Sequence, residues 1–194
     1  MIRMRRKMIY IITVLISAIL IIAGNIILLP FNLNTLLDIS LSVAIGVVGI
    51  FALDGIFAFV IRRMTPKAWY MPHHKIYEVS KKEFKFYQKL GVKNWTKIVP
   101  ELGGFTGFHK DSVGNVGDTK YLERFLFESN CGVIIHLENA IFGFLIMFLP
   151  KVGVPSIWVP IYLVNFALSM MPVFILRFNN YTLLRLYKRS LRGE

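Results

Sequence analysis

Cysteine is almost missing from this 194-residue chain, and several common catalytic motifs are missing altogether. Cys131 is the single copy, so an internal disulfide is excluded, and such a residue is more often a small buried side chain than a nucleophile. The sequence has no Gly-x-Ser-x-Gly elbow, no Walker loop and no zinc-binding His-Glu-x-x-His or His-x-x-Glu-His helix. His109 is not followed by an aspartate five residues later, because position 114 is glycine. These absences exclude the usual soluble hydrolase, nucleotide-binding and metallopeptidase sites.

Acidic residues are also scarce, with 11 Asp and Glu against 23 Lys and Arg, which gives a net charge of +12. Hydrophobic residues make up 55% of the chain, the mean hydropathy is +0.57, and the apolar residues form long blocks. The basic residues flank these blocks and do not form a separate domain, so attraction to a membrane surface explains them better than nucleic acid binding. The composition therefore predicts an integral membrane protein with no nucleic acid partner.

Four apolar blocks are long enough to cross a bilayer core of ~30 Å. We predict an all-α fold whose transmembrane helices cover residues 8–29, 36–61, 129–149 and 156–176 of one membrane domain. Basic residues concentrate at the two termini and in the segment 62–128, whereas the two short links are nearly uncharged. The positive-inside rule then predicts a multi-pass protein of the cell membrane with both termini in the cytoplasm.

The segment 62–128 is predicted to be a cytoplasmic helical and loop insertion between the second and third spans. It carries thirteen basic and seven acidic residues, a net charge of +6. Residues 79–90 have the apolar spacing of an amphipathic helix that ends at Gly91. Trp95 follows in a stretch expected at the membrane interface, since tryptophan prefers the headgroup level. The glycine-rich residues 101–118 are the predicted loop.

The segment 124–143 is the predicted functional centre, because it passes from a charged amphipathic run into an apolar one. At about 100° per residue, one half of this helix carries most of its polar and small residues. They are Glu128, Gly132, His136, Asn139 and Gly143. The other half, with Val133 and Ala140, is expected to face lipid, and the ionisable half to face other helices or a wet cavity.

Glu128 and His136 are the predicted catalytic pair, and Glu138 lies two residues further on. Eight residues of helix separate Glu128 from His136 by ~12 Å, which is too far for a direct hydrogen bond. They would act on different parts of a substrate or through a third group. The alternative is that these groups only form contacts between helices. Asp54, in the second span, is open to two interpretations in the same way: an interfacial or ion-paired carboxylate, or a site residue.

Other polar residues have an ordinary interpretation beside a functional one. His109 and Lys110 are expected either to contact a substrate anion or carbonyl, or to be exposed loop residues. The adjacent His73 and His74 are weak metal ligands without a converging third group, and no metal or cofactor is predicted. Pro172 is expected to kink the last span and to free a carbonyl group inside the bundle.

Several of these residues together resemble one known family. The pattern is Leu90-Gly-Val-Lys-x-Trp95, then Phe125-x-x-Glu128 with His136 eight residues later, then the run from Pro172 to Arg177-Phe-Asn179 and a basic tail. It resembles the glycosyl-4,4'-diaponeurosporenoate acyltransferases, small bacterial membrane enzymes of carotenoid biosynthesis. The resemblance covers about residues 75–189. Gly132-Val133, Phe178 and Asn180 depart from the family pattern.

The resemblance implies transfer of a fatty acyl group onto a hydroxyl of a lipid-linked sugar or a similar glycolipid or terpenoid acceptor. His136 would be the base and Glu128 its orienting partner, with Arg177 and Asn179 as a polar clamp. Three more residues and the loop pair complete the expected substrate contacts: Glu138, Asn139, Trp95, His109 and Lys110. The expected partners are a membrane lipid and the acceptor, while the acyl donor stays open. The alternative is a non-enzymatic membrane subunit or a lipid-binding or transporter-like bundle, with these groups paired and no cavity.

Overall fold

The computed structural model describes residues 2–28, 33–99 and 117–193 of the chain. Within these ranges every regular element is helical and no strand occurs, which confirms the all-α prediction. Four of the described helices are long and apolar enough to cross a membrane. They are α1 (Ile2–Leu28), α2 (Leu33–Phe59), α5 (Thr119–Phe142) and α6 (Pro155–Ser190). α5 and α6 reach well beyond the predicted spans at the end where the insertion lies.

The insertion begins with short turns and then forms two small helices. A π-helical turn, Val60–Met64, continues α2 and is followed by two 3₁₀ turns, Lys67–Tyr70 and Lys75–Tyr77. α3 (Lys81–Lys89) starts at Ser80, whose hydroxyl accepts the Glu83 amide at 3.1 Å, and α4 is Val92–Trp95. Gly91 separates the two helices with a φ of +69°, a left-handed conformation that favours glycine. The predicted end of the amphipathic helix at Gly91 therefore matches the structure.

α5 is the most buried of the four long helices. Asp118 caps its start by accepting the amides of Lys120 and Tyr121, and a 3₁₀ segment, Gly143–Phe148, extends its other end. In its most apolar stretch, 44% of the residues are buried, against 6% in α1. The expectation that its apolar half faces lipid was wrong for Val133 and Ala140, which are 3% and 1% exposed. α2 and α6 both pack on α5, which explains why these two residues are buried.

α6 is continuous through two prolines, each of which removes one backbone donor from the helix. Pro160 leaves the Ser156 carbonyl without its helical partner, and Asn25 of α1 supplies the missing donor from its Nδ2 at 3.0 Å. The Ser156 hydroxyl donates in return to Asn25 Oδ1 at 2.6 Å. This reciprocal pair joins the end of α1 to the start of α6, so the two helices run antiparallel.

The ends of the long helices form two groups. Near the start of α2, Asp38 accepts a hydrogen bond from Lys151 in the link before α6. At the opposite end, Arg62, just after α2, contacts Glu128 in the first half of α5. The start of α1, the end of α2, the start of α5 and the end of α6 therefore share the insertion end of the bundle.

We expect Asn25→Ala to lower the free energy of unfolding by about 1–3 kcal/mol, because the Ser156 carbonyl then lacks a donor in an apolar setting. The measurement is the thermal midpoint of the purified protein in detergent. Gly24→Ala is the matched control, since a methyl group at Gly24 meets open space. Equal midpoints for Asn25→Ala and Gly24→Ala would show that this contact contributes nothing.

Candidate functional site

A cavity of about 180 Å³ lies between the four long helices in the half of the bundle nearer the insertion. Residues of α1, α2, α5 and α6 line it, together with Ile98 and Val99 just after α4. Most of its wall is apolar. Its polar lining residues are Tyr10, Thr13, Asp54, His136, Asn139, Asn165 and Ser169. Of the predicted site residues, His136 and Asn139 therefore reach this cavity, and so does Asp54.

Asn139 is held in one orientation by contacts with α6. Its Nδ2 donates to Asn165 Oδ1 and to Ser169 Oγ, both at 3.2 Å. Asn165 must present its oxygen to this contact, because its own Nδ2 donates to the backbone carbonyl of Asn139 at 3.0 Å. Gly143, one turn further along α5, permits the close approach, since a methyl group there would collide with the Asn165 amide. The Asn139 amide group cannot flip without losing these bonds.

Two acceptor atoms on residues that line the cavity have no hydrogen-bond donor among the described residues. They are Asn139 Oδ1 and Asp54 Oδ1, and both are inaccessible to solvent. Asn139 is 4% exposed, whereas Asp54 is half-buried. Buried polar atoms are normally paired, so two unpaired acceptors on residues that line one cavity lack partners that the described protein does not supply. The described residues do not provide the cationic partner for Asp54 Oδ1 that was one of the possibilities the sequence left open.

Pro172 affects a third hydrogen-bond acceptor, the backbone carbonyl of Leu168. It lines the cavity together with Leu168, four residues earlier in α6. Because proline has no amide hydrogen, the Leu168 carbonyl lacks its usual helical donor. α6 remains helical through this position.

Glu128 has a different role in the structure from the catalytic one that the sequence suggested. It is 7% exposed and its Oε2 accepts a hydrogen bond from Arg62 Nη1 at 2.9 Å. It does not belong to the residues that line the cavity. The ion pair ties the first half of α5 to the π-helical turn after α2. Removing one partner of such a buried pair leaves an uncompensated charge, so Glu128 stabilises the packing that surrounds the site.

Sequence reasoning missed a buried network next to Glu128. Ser129 Oγ donates to Asn180 Oδ1 at 2.7 Å, Asn180 Nδ2 donates to Asn130 Oδ1 at 3.0 Å, and Asn130 Nδ2 donates to the Tyr70 carbonyl at 2.9 Å. It joins α5, α6 and the first 3₁₀ turn of the insertion. Asn180 carries this contact, whereas the neighbouring Asn179, which was the predicted clamp residue, is half-buried outside it. Because both residues are asparagine, residue type does not show which one joins the network. The rotation of α6 about its axis decides it.

Arg177, the other predicted clamp residue, fastens the insertion to α6. Its Nε and Nη2 donate to the two carboxylate oxygens of Glu83 at 2.6 and 3.0 Å, and its guanidinium also reaches the carbonyls of Ile76 and Glu78. The Tyr87 hydroxyl donates to the same Glu83 carboxylate at 2.7 Å. Burial and this contact raise the pKa of Tyr87 to about 12. Arg177 is therefore occupied by the protein itself.

Aromatic stacking completes the attachment of the insertion. Phe84 lies between Phe178 and Tyr181 with ring centroids 5.0 and 4.1 Å away, and Trp95 packs on Phe174 at 6.0 Å. Trp95 is thus a packing residue against α6. The segment that follows it, Ile98 and Val99, closes one side of the cavity.

The remaining predicted residues lie apart from the cavity or outside the described ranges. Glu138 is half-buried on α5 and Cys131 is 1% exposed. His109 and Lys110 lie outside the described residues. His73 and His74 stack on each other at 4.4 Å, and His74 Nε2 contacts the Ala68 carbonyl. In the described part of the chain no group of three or more His, Cys, Asp and Glu side chains is placed to hold a metal ion.

Comparison with protein families gives one match. Residues 66–189, more than half of the chain, match the model of the glycosyl-4,4'-diaponeurosporenoate acyltransferases. No curated protein and no solved structure matches the chain. The chain therefore belongs to this acyltransferase family, as the residues from Trp95 to Asn179 suggested. The match includes His136 and Asn139 but not α1 or α2, which supply Tyr10 and Asp54.

We expect acid to release α3 and α4 from α6. Burial raises the pKa of Glu83, but the bonds from Arg177 and Tyr87 outweigh burial and hold the pKa below its ordinary value of 4.5. The contact therefore stabilises the fold above pH 4.5 and loses this contribution as the pH falls through the lowered pKa. Trp95 fluorescence, in a chain with Trp69 and Trp158 changed to Phe, should shift to longer wavelength in that range.

Two variants test the assignment of this transition. Glu83→Gln should show the shifted emission already at neutral pH. Glu78→Gln is the control, because Glu78 forms an exposed pair with Lys188 and such pairs contribute little. If both variants behave like the original chain, the Glu83 contact does not hold the insertion in place.

Proposed function

We propose that this protein transfers a fatty acyl group from an activated acyl ester to a hydroxyl of a lipid-linked sugar, within the cavity between its helices. The observation that carries the proposal is the position of His136, which lines the one described cavity to which all four long helices contribute, in a chain of an acyltransferase family. A largely apolar wall suits an acyl chain, and a few polar groups suit the reacting hydroxyl. The insertion end provides the route to the sugar headgroup.

His136 acts as the general base in this scheme. One imidazole nitrogen accepts the proton of the acceptor hydroxyl while its oxygen attacks the carbonyl carbon of the donor. A C–O bond forms, the carbonyl oxygen takes up negative charge, and the bond to the donor's leaving oxygen or sulfur then breaks. The leaving group recovers the proton from the imidazolium. The products are the new ester and the free alcohol or thiol of the donor, so charge and protons balance.

The developing oxyanion needs a hydrogen-bond donor at the same cavity. Arg177 is held by Glu83, so we assign this role to the Tyr10 hydroxyl of α1, which lines the cavity. Tyr10 is positioned by edge-to-face packing on Phe51 of α2, with ring centroids 6.5 Å apart. Glu128 supports the reaction indirectly, through the Arg62 pair that fixes α5.

The competing interpretation was a non-enzymatic subunit with its polar groups paired and no cavity. Glu128, Asn130 and Asn180 are indeed paired as that alternative expects. The cavity beside His136 and the unpaired acceptors of Asp54 and Asn139 favour the enzyme. The family match supports the same choice.

We expect His136→Asn to reduce the rate of acyl transfer by about 10²-fold to 10⁴-fold, the usual contribution of a positioned general base. The assay follows acylated glycolipid by mass spectrometry in membranes that contain the expressed chain. His73→Asn is the matched control, because His73 is exposed and distant in sequence from the cavity. Full activity of a folded His136→Asn protein would remove His136 from the reaction.

A further inference from the structure

The cavity has an unusual balance of hydrogen-bonding groups. Asp54 Oδ1 and Asn139 Oδ1 have no donor among the described residues, and the Leu168 carbonyl has lost its helical donor to Pro172. Among the described residues that line the cavity, none is Lys or Arg. The site therefore offers acceptors in excess. A ligand that satisfies it must bring hydrogen-bond donors.

This balance decides between classes of headgroup. A phosphate or carboxylate group would place negative charge beside the Asp54 carboxyl group with no cation in the described lining to offset it. A neutral group with several hydroxyls supplies the required donors without adding charge. The apolar remainder of the wall, including Ile50, Phe51 and Met171, suits the hydrocarbon attached to such a headgroup.

We infer that Asp54 and Asn139 position the acceptor by binding its sugar hydroxyls, and that Asp54 makes the protein select polyhydroxylated neutral lipids over simple alcohols. This assignment rests on the proposed function for the reaction that follows binding. It gives α2, which lies outside the family match, a direct part in choosing the acceptor. Asn139 contributes from the matched region, with its oxygen fixed by the α6 contacts.

The two residues differ in how firmly they are held. Asn139 is fixed by Asn165 and Ser169, and replacing it would break the α5–α6 contact as well as the site. Asp54 has no described hydrogen-bond partner for its buried oxygen, so changing it to asparagine exchanges one carboxyl oxygen for an NH2 group without breaking a known contact. Asp54→Asn is therefore the informative substitution. It keeps the side-chain shape and puts an amide where the carboxyl group was.

The experiment measures equilibrium binding and acyl transfer in detergent with three probes of equal chain length: dodecyl β-glucoside, dodecanol and dodecylamine. For Asp54→Asn we expect the glucoside to bind about 10-fold to 100-fold more weakly, through the loss of one or two hydrogen bonds. Dodecanol should bind almost as before. KM for the glucoside should rise more than kcat falls. Asp38→Asn, an exposed residue of the same helix paired with Lys151, should match the original chain.

The outcomes separate this inference from the proposed function. If Asp54→Asn leaves glucoside binding and the preference over dodecanol unchanged, Asp54 does not position the acceptor, whatever the activity of His136→Asn. Dodecylamine that binds more tightly than the glucoside and depends on Asp54 would overturn the inference in favour of a cation site. If the glucoside binds through Asp54 but the original chain transfers no acyl group, the subsite stands and the proposed reaction fails.

A measurement on the unaltered chain covers the case in which Asp54→Asn does not fold. Dicyclohexylcarbodiimide reacts with carboxyl groups in apolar surroundings, and peptide mapping locates the modified residues. We expect dodecyl β-glucoside to protect Asp54 at least several-fold and to leave Glu138 unprotected, since Glu138 does not line the cavity. Equal labelling of Asp54 with and without the glucoside would contradict the inference.

Discussion

The contact between Asn139 of α5 and Asn165 of α6 is the constraint on which the site depends. Each amide donates to the other residue, one to a side-chain oxygen and one to a backbone carbonyl. In an apolar bundle these groups have no water to replace a lost partner, so the contact fixes how α5 and α6 lie against each other. Because the Nδ2 of Asn139 makes the contacts with Asn165 and Ser169, its Oδ1 forms no bond to either residue. The contact that holds the two helices together therefore leaves Asn139 Oδ1, an acceptor of a cavity-lining residue, without a donor.

Around this contact, separate hydrogen bonds and ion pairs hold the elements that form the cavity walls. Asn25 and Ser156 join α1 to α6, Glu128 and Arg62 join α5 to the end of α2, and the Glu83–Arg177 pair holds the insertion on α6. Each of them satisfies a polar group that would otherwise be buried without a partner. Asp54 Oδ1 and Asn139 Oδ1 differ from these groups, because they have no such partner among the described residues. Stability and binding capacity thus separate at Asp54, whereas Asn139 contributes to both.

The sequence predicted the elements well, because their signals are local. Apolar blocks and the Gly91 stop are properties of short stretches, and the structure has them close to where they were expected. The family resemblance was also confirmed, because a sequence motif depends only on residue types at set positions along the chain. The lipid-facing assignment of Val133 failed, since the number of neighbours around α5 is a property of the bundle and not of one helix.

The site was harder to predict for the same reason. A single-helix projection placed Glu128 and His136 on one arc, but Arg62 arrives from another element and captures Glu128. Arg177 had the composition of a substrate clamp, yet Glu83 lies across from it in the folded chain. Asp54 was open to both interpretations, because its depth in α2 does not reveal which helices surround it. Only the packing of α1, α2, α5 and α6 shows that it shares a cavity with His136.

The central claim is that the acceptor sugar enters the cavity beside His136 and is held by Asp54 and Asn139. An experimental structure with a bound glycolipid tests it most directly. The account predicts sugar hydroxyls within hydrogen-bonding distance, ~2.7–3.0 Å, of Asp54 Oδ1 and Asn139 Oδ1, with another hydroxyl at the His136 imidazole. A sugar bound on the insertion outside the bundle, with the cavity filled by hydrocarbon alone, would contradict it.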